Sequence, residues 1–136
     1  MNIGIVRAAF NEDYTDEMLT AAEERAEERG LDVATVVTVP GTHEVPVAAE
    51  KLLSRDDIDG VVALGAVIKG ATDHDAVICY NVSKQLLELS CDHGKPVGMG
   101  IIGPGVSWSQ VEQRTADYAR RAVDAVQETK EALDGL

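Results

Sequence analysis

Basic residues are scarce in this sequence: 12 lysines and arginines stand against 24 aspartates and glutamates, a net charge of −12 over 136 residues. A surface this anionic repels nucleic acid and anionic membrane, so neither is an expected partner. The acid excess also keeps proteins soluble in high salt, which points to a halophilic source. Long apolar runs are missing as well. No stretch reaches about 18 apolar residues, so no membrane-spanning helix is expected. The opening "MNIGIVRAAF" has neither a basic segment nor a small-residue cleavage site, and a cytoplasmic location is expected. Cysteine occurs only as Cys79 and Cys91. Their spacing is not that of metal ligands, and on one helix they diverge by about 120°, too far to pair. Reduced structural thiols are expected. Repeats, linkers and low-complexity tracts are absent, so residues 1–136 read as a single domain.

Four apolar, β-branched runs are present: Asn2–Ala9, Asp32–Val39, Gly60–Ile68 and Pro96–Ile102. They are nearly continuous rather than alternating, which suits strands covered on both faces. Helical patterns separate them. Thr15–Arg29 places Met18, Leu19, Ala22 and Ala26 at helical spacing and stops at Gly30. His43–Ser54 gathers Val45, Ala48, Ala49, Leu52 and Leu53 on one face, and Asp73–His93 ends before Gly94. Ser107–Leu133 carries Trp108, Val111, Tyr118, Ala122 and Val126 on one stripe. The order β-α-β-α-β-α-β-α predicts an α/β protein: a four-stranded parallel sheet between helical layers, with the flavodoxin-like strand order 2-1-3-4. Ligands of such sheets bind beyond the carboxyl ends of the strands. Those ends fall at Phe10–Asn11, Pro40–Glu44, Lys69–His74 and Gly103–Trp108.

The unusual residues of the chain lie at these ends. In "GAVIKGATDHD", Thr72 and Asp75 have the spacing of a capping box. The same stretch has the features of an anion site: a helix N-terminus with free N–H groups, Gly70 and Ala71 leaving room for close approach, and the charge of Lys69. His74, in the first turn, is either a surface residue or a proton shuttle beside that anion. In "PGTHEVP", Thr42 can cap the second helix and Glu44 can complement its dipole, or Glu44 and the local N–H groups can bind hydroxyls. His43 reads as exposed or packed. Phe10, the only phenylalanine, closes the first strand either as core or as a stacking surface. Arg114 is solvated unless another subunit completes its site.

Taken together, "FN" after the first strand, "VPGTHEVPVAAEKLL", "VALGAVIKGATDHD" and "KPVGMGIIGPG…EQR" resemble the lumazine synthase family, and the last stretch is most like its archaeal form. The resemblance covers nearly the whole chain. It implies a three-layer αβα sandwich and a transferase reaction of riboflavin biosynthesis. In that reaction the amine of 5-amino-6-ribitylaminouracil attacks the ketone of 3,4-dihydroxy-2-butanone 4-phosphate, and phosphate and water are lost. No metal or other cofactor is implied. Phe10 then stacks on the pyrimidine, Thr42, His43 and Glu44 hold the ribityl chain, and the backbone of Val67, Ile68 and Lys69 reads the pyrimidine edge. Ala71 and Thr72 form the phosphate turn, His74 transfers protons, and Arg114 reaches the phosphate from a neighbouring subunit. The implied assembly is a homopentamer, extendable to a 60-subunit shell, with active sites between subunits.

Three departures from the bacterial pattern stand out. Met99 takes the place of an aromatic in the pyrimidine pocket. The Gly103-Pro104-Gly105 turn lengthens the path to Arg114 by a residue. The bacterial Gly-Asn-Lys-Gly ending is absent, leaving Arg120 or Arg121 as substitutes for its lysine. Related folds fit less well. A flavodoxin needs a Ser/Thr/Gly-rich loop where this chain has "AAFNEDYTDE", and a phospho-receiver needs acids where it has Ala9-Phe10 and Ile68-Lys69. Two alternatives remain: an archaeal-type riboflavin synthase relative, and a non-catalytic shell protein that binds flavins or lumazines.

Overall fold

The computed structural model describes residues Met1–Leu136. Its strands are β1 (Asn2–Ala8), β2 (Asp32–Val39), β3 (Gly60–Ile68) and β4 (Val97–Val106), and its helices are α1 (Glu12–Glu28), α2 (Val45–Leu53), α3 (His74–His93) and α4 (Trp108–Asp134). All three strand pairings are parallel and the order is β2-β1-β3-β4, as the alternation predicts. Successive side chains of a strand point to opposite faces. Val62, Leu64 and Ala66 of β3 accordingly join Ile3, Ile5 and the apolar faces of α1 and α4, while Val61 and Ala63 join Val6, Ala8 and the faces of α2 and α3. The sheet is thus a middle layer between two helix pairs.

Four local expectations change. The edge strand β2 is not covered on both faces: Asp32, Ala34, Val36 and Thr38 are exposed and alternate with half-buried residues. Helix α1 starts earlier than the apolar spacing suggests. Asn11 adopts the left-handed conformation (φ 64°), which asparagine tolerates, and its carbonyl accepts from Tyr14 and Thr15. Strand β4 does not end at Ile102. It runs on to Val106 through a register shift in which Ala66 faces Ile102 and Ile68 faces Val106, so Gly103–Gly105 bows out of the sheet. Trp108 is 55% exposed instead of lying in the core stripe of α4. Cys79 and Cys91 are both free on the same helix; the first is buried as a structural thiol, and the second is exposed.

The outer layer on one face is tied across its two helices. The Arg25 guanidinium of α1 grips Asp124 of α4 in two bonds (Nε–Oδ1 2.7 Å, Nη2–Oδ2 2.8 Å), and Arg29 approaches the same carboxylate at 3.2 Å. The Arg25 hydrogen bond, above all, holds the Asp124 carboxyl below the usual carboxylate range, with burial opposing and the charges of Arg25 and Arg29 assisting. A folded-state pKa that is depressed contributes stability above the unfolded value and loses it as pH falls through the folded one. Asp124→Asn should therefore lower stability at neutral pH, and the difference should shrink only as pH falls through the depressed folded-state pKa, where the parent carboxylate is itself protonated. Urea denaturation of both proteins across this range checks the convergence.

Candidate active site

The strand order reverses at β1: the chain winds outward to β2 and then returns to place β3 on the other side. A crevice forms at the carboxyl ends on either side of such a switch point. Here it is a cleft of about 680 Å³ whose wall includes Phe10, Thr42, Lys69, Thr72, His74 and Trp108. His43, Glu44, Val67 and Ile68 line it too. The fold therefore gathers nine of the residues singled out from the sequence, drawn from three strand ends.

Each wall has a local cause. Phe10 follows β1 and its N–H donates to Pro40 O (2.9 Å), while the ring stays 70% exposed at the cleft. Asn11 turns the chain away and its side-chain amide donates to Ala66 O (2.7 Å), tying the end of β1 to the end of β3. Thr42–Glu44 form a single 3-10 turn before α2. Thr42 is buried, and any side chain at Gly65 would collide with its hydroxyl. His43 is exposed with Nδ1 3.4 Å from Glu44. Beyond β3, Lys69, Gly70, Ala71 and Thr72 are all exposed.

Two expected caps are not formed. Asp73, not Thr72, is the N-cap of α3, with no side-chain cap bond; the Thr72 hydroxyl instead accepts weakly from the His74 N–H (3.3 Å). Asp75 does not reach back to Thr72. Its carboxylate accepts from Gly105 N–H at 2.9 Å, across the turn of β4. Thr42 caps nothing either, because the 3-10 turn moves the start of α2 to Val45 and makes Glu44 the N-cap. The chain's capping box lies elsewhere, between Ser107 and Gln110 at the start of α4. Its Ser-x-x-Gln spacing was readable in the sequence.

Three residues from the sequence reading lie outside the cleft lining. Ala71 is exposed beside it. Met99 is on β4, 38% exposed, against Leu87 on one side and Tyr118 on the other. Arg114 is exposed on α4. Six residues past the cleft-lining Trp108, it points about 120° away around the helix and lies about 9 Å further along. Arg120 borders an acidic groove between α1 and α4, and Arg121 pairs with Asp117 at 3.6 Å.

Asn11, Gly41, Ala66, Ile78 and Trp108, to which the sequence pattern assigned no part in a site, also line the cleft, as do Gly70 and Asp75. Asp75 is the only charged residue in the chain's buried set, at 4% exposure. The Gly105 N–H, first among the causes, holds its carboxyl below the ordinary range; burial opposes, and the Ala76 N–H and the Lys69 charge assist. Its position at the start of a helix was a signal, but a first-turn aspartate usually serves the helix dipole alone. Trp108 rests on Tyr14 with ring centroids 5.6 Å apart, and Tyr14 donates to Glu112 at 3.0 Å. The arrangement offers an aromatic face at Phe10, polar groups at Thr42–Glu44, and a cation with free helix N–H groups at Lys69–His74. Such a site can hold a planar ring, a hydroxylated chain and an anion together.

Residues 1–134 match the family model described as 6,7-dimethyl-8-ribityllumazine synthase. The chain is similar to the 6,7-dimethyl-8-ribityllumazine synthase of Staphylothermus marinus, with 53% identity over 124 residues that span 91% of this chain and 83% of the relative. Its likeness to the enzyme of that name from Sulfolobus acidocaldarius is 47% over 125 residues, spanning 92% and 79%. For the one from Methanocaldococcus jannaschii the identity is 41% over 136 residues, spanning 100% and 96%.

Trp108 is the only tryptophan, so its emission reports on the cleft. A planar heteroaromatic ligand binding there is expected to quench it. Phe10→Ala should require about three to ten times more ligand for half the change, the worth of one aromatic stack. Unchanged emission at saturation, with binding followed by calorimetry, would place the ligand elsewhere.

Proposed function

The chain belongs to the 6,7-dimethyl-8-ribityllumazine synthase family, and we propose that the cleft beyond β1 and β3 is the active site in which it performs the family reaction. It is a transferase of riboflavin biosynthesis, condensing 5-amino-6-(D-ribitylamino)uracil with 3,4-dihydroxy-2-butanone 4-phosphate to give the lumazine, phosphate and water. Neither alternative, the riboflavin synthase relative or the non-catalytic shell protein, is favoured by the family match or by the names of the relatives. The observation that carries the assignment of the site is the meeting of Phe10, Thr42–Glu44, Lys69, Thr72 and His74 around one cleft. Mixing the protein with both substrates and following lumazine absorbance and phosphate release tests it directly.

In this reading Phe10 stacks on the uracil ring while the strand-end backbone at Val67 and Ile68 reads its edge. Thr42, His43 and Glu44 face the ribityl hydroxyls. Lys69, Ala71, Thr72 and the free N–H groups of α3 hold the phosphate of the second substrate. The ketone is thereby brought to the amine of the stacked ring. The nucleophile loses protons as the imine forms and the carbonyl oxygen leaves as water; His74, one residue into α3, passes these protons and assists as phosphate departs. Positioning two reactants supplies roughly 7–11 kcal/mol at best, whereas one general acid–base contributes about 10²–10⁴-fold. An amine and a reactive ketone need little activation, so orientation carries most of the rate. His74→Ala is accordingly expected to lose about one to two orders of magnitude in kcat and keep measurable activity. An unchanged rate would return His74 to the surface, and complete loss with both substrates still bound would make it indispensable.

The exposed Phe10 and Lys69–His74 leave the cleft open on one side, and Arg114 and Met99 lie on other faces of the molecule. These facts support a homo-oligomer in which a neighbouring copy brings Arg114 to the phosphate and Met99 to the pyrimidine. The form we infer is a pentameric ring, with a 60-subunit shell as its higher assembly, built from a single domain of residues 1–136 in the cytoplasm. A heterologous interface with closed cyclic symmetry allows each site to be shared. Net charge of −12 per chain opposes assembly unless salt screens it, and screening shortens from about 30 Å at 0.01 M to about 3 Å at 1 M; this is the basis for reading the acidic surface as halophilic. Inactive Arg114→Ala protein mixed with an inactive Lys69→Ala variant should regain part of the activity after subunit exchange. Light scattering should show the oligomer dissociating near 0.01 M salt. Mixed oligomers without activity would refute the shared site, and a ring intact at low salt would refute the halophilic reading.

A further inference from the structure

We propose that Asp75 is a positioning residue for the phosphate end of the cleft, a reading that rests on the function proposed above. It acts by clamping the bowed Gly103–Gly105 turn of β4 against the first turn of α3. Two bonds stitch this turn to the phosphate loop. At one end Lys69 N–H donates to Val106 O (2.9 Å), and at the other Gly105 N–H donates to Asp75 Oδ2 (2.9 Å). Lys69 begins the loop and Asp75 follows its last member by two residues, past His74. Both ends of the segment that carries Lys69, Thr72 and His74 are therefore fixed to one small piece of β4.

The turn needs such a clamp. Gly103 and Gly105 have positive φ values of 128° and 79°, and Gly103–Gly105 of β4 stand opposite the single residue Val67 of β3, so the regular sheet ladder is interrupted there. A Cβ on Gly103 would lie 2.7 Å from Val67 O and 2.9 Å from Cys79 Sγ, so the turn is seated closely on the cleft wall. The Asp75 side chain shows that its purpose exceeds capping. It is 4% exposed, and its second oxygen, Oδ1, is buried with no hydrogen-bond partner. An orphaned buried carboxylate oxygen is costly. A neutral acceptor would satisfy Gly105 at a smaller cost, so the charge-assisted bond across the turn is what the position retains.

The test compares Asp75→Ala and Asp75→Asn with the parent in two readouts. Amide hydrogen exchange of the substrate-free protein reads the clamp: the Gly105 amide should exchange at least about tenfold faster in Asp75→Ala, and much less so in Asp75→Asn, whose side-chain oxygen still accepts. Steady-state kinetics read the positioning. KM for the four-carbon phosphate, and the inhibition constant of inorganic phosphate, should rise about tenfold in Asp75→Ala, with partial rescue in Asp75→Asn. KM for the uracil amine, held at Phe10 and the end of β3, should stay within about twofold. A role in stability alone would lower the active fraction without splitting the two KM values, and that result would overturn the proposal. Unchanged Gly105 exchange in Asp75→Ala would overturn it too. A parent protein that makes no lumazine would instead remove the proposed function, while amide exchange and binding of inorganic phosphate would still decide the clamp.

Discussion

The parallel pairing of β3 between β1 and β4 is the constraint from which the site follows. A strand buried on both faces admits only apolar or small side chains along its length, and Gly60–Ala66 complies without exception. Polar chemistry is therefore expelled to the point where the strand leaves its neighbours. Parallel pairing puts all such points at one rim of the sheet, and the reversal of order at β1 opens a gap in the rim between the helices. Val67 and Ile68 are the first half-buried positions of β3, and Lys69 is the first exposed one. A lysine there costs little, since its ammonium remains hydrated until a ligand displaces the water.

This placement also reconciles an anionic protein with an anionic substrate. The field of distant surface carboxylates fades over a Debye length of about 8 Å at physiological ionic strength, whereas in the proposed site Lys69 and the helix N–H groups would act at hydrogen-bond range. Among the carboxylates that line the cleft, Asp75 is held by the Gly105 N–H. In that site local geometry would outweigh net charge. Past Trp108 and Tyr14, acidic residues of α1 and α4 crowd a second groove, relieved by Arg120 and by the Tyr14–Glu112 and Thr115–Glu17 bonds.

The sequence was most legible where one physical rule dominated. Asp32–Val39 and Gly60–Ile68 were bounded to the residue, because apolar content starts and stops sharply at both. The cleft residues were legible because strand ends in a parallel sheet form a short list. What escaped depended on competing partners. Thr72 has the spacing of a cap, but Asp75 is drawn to a backbone N–H thirty residues away, which no local pattern reveals. Gly103-Pro104-Gly105 reads as the end of a strand, yet pairing resumes beyond it because Val106 can still face Ile68. Trp108 has the right helical phase for the core, but α4 begins at the rim, where there is no layer left to cover it. Arg114 and Met99 are surface residues of the single chain, and the roles proposed for them require a second copy.

The packing of α4 has a consequence for the order in which the molecule can be made. One face of the sheet is closed jointly by α1, near the start of the chain, and by α4, its last 27-residue helix, whose Val111, Ala119, Val123 and Val126 complete that core. During synthesis the strands emerge and can pair while half of this face still lacks its cover. Ile3, Ile5, Leu64 and Ile102 remain incompletely shielded until α4 clears the ribosome. Vectorial folding is thus gated by the emergence of α4, and a nascent chain stalled before it presents a sticky sheet. The dense acidic charge of α1, already in place, keeps such intermediates apart.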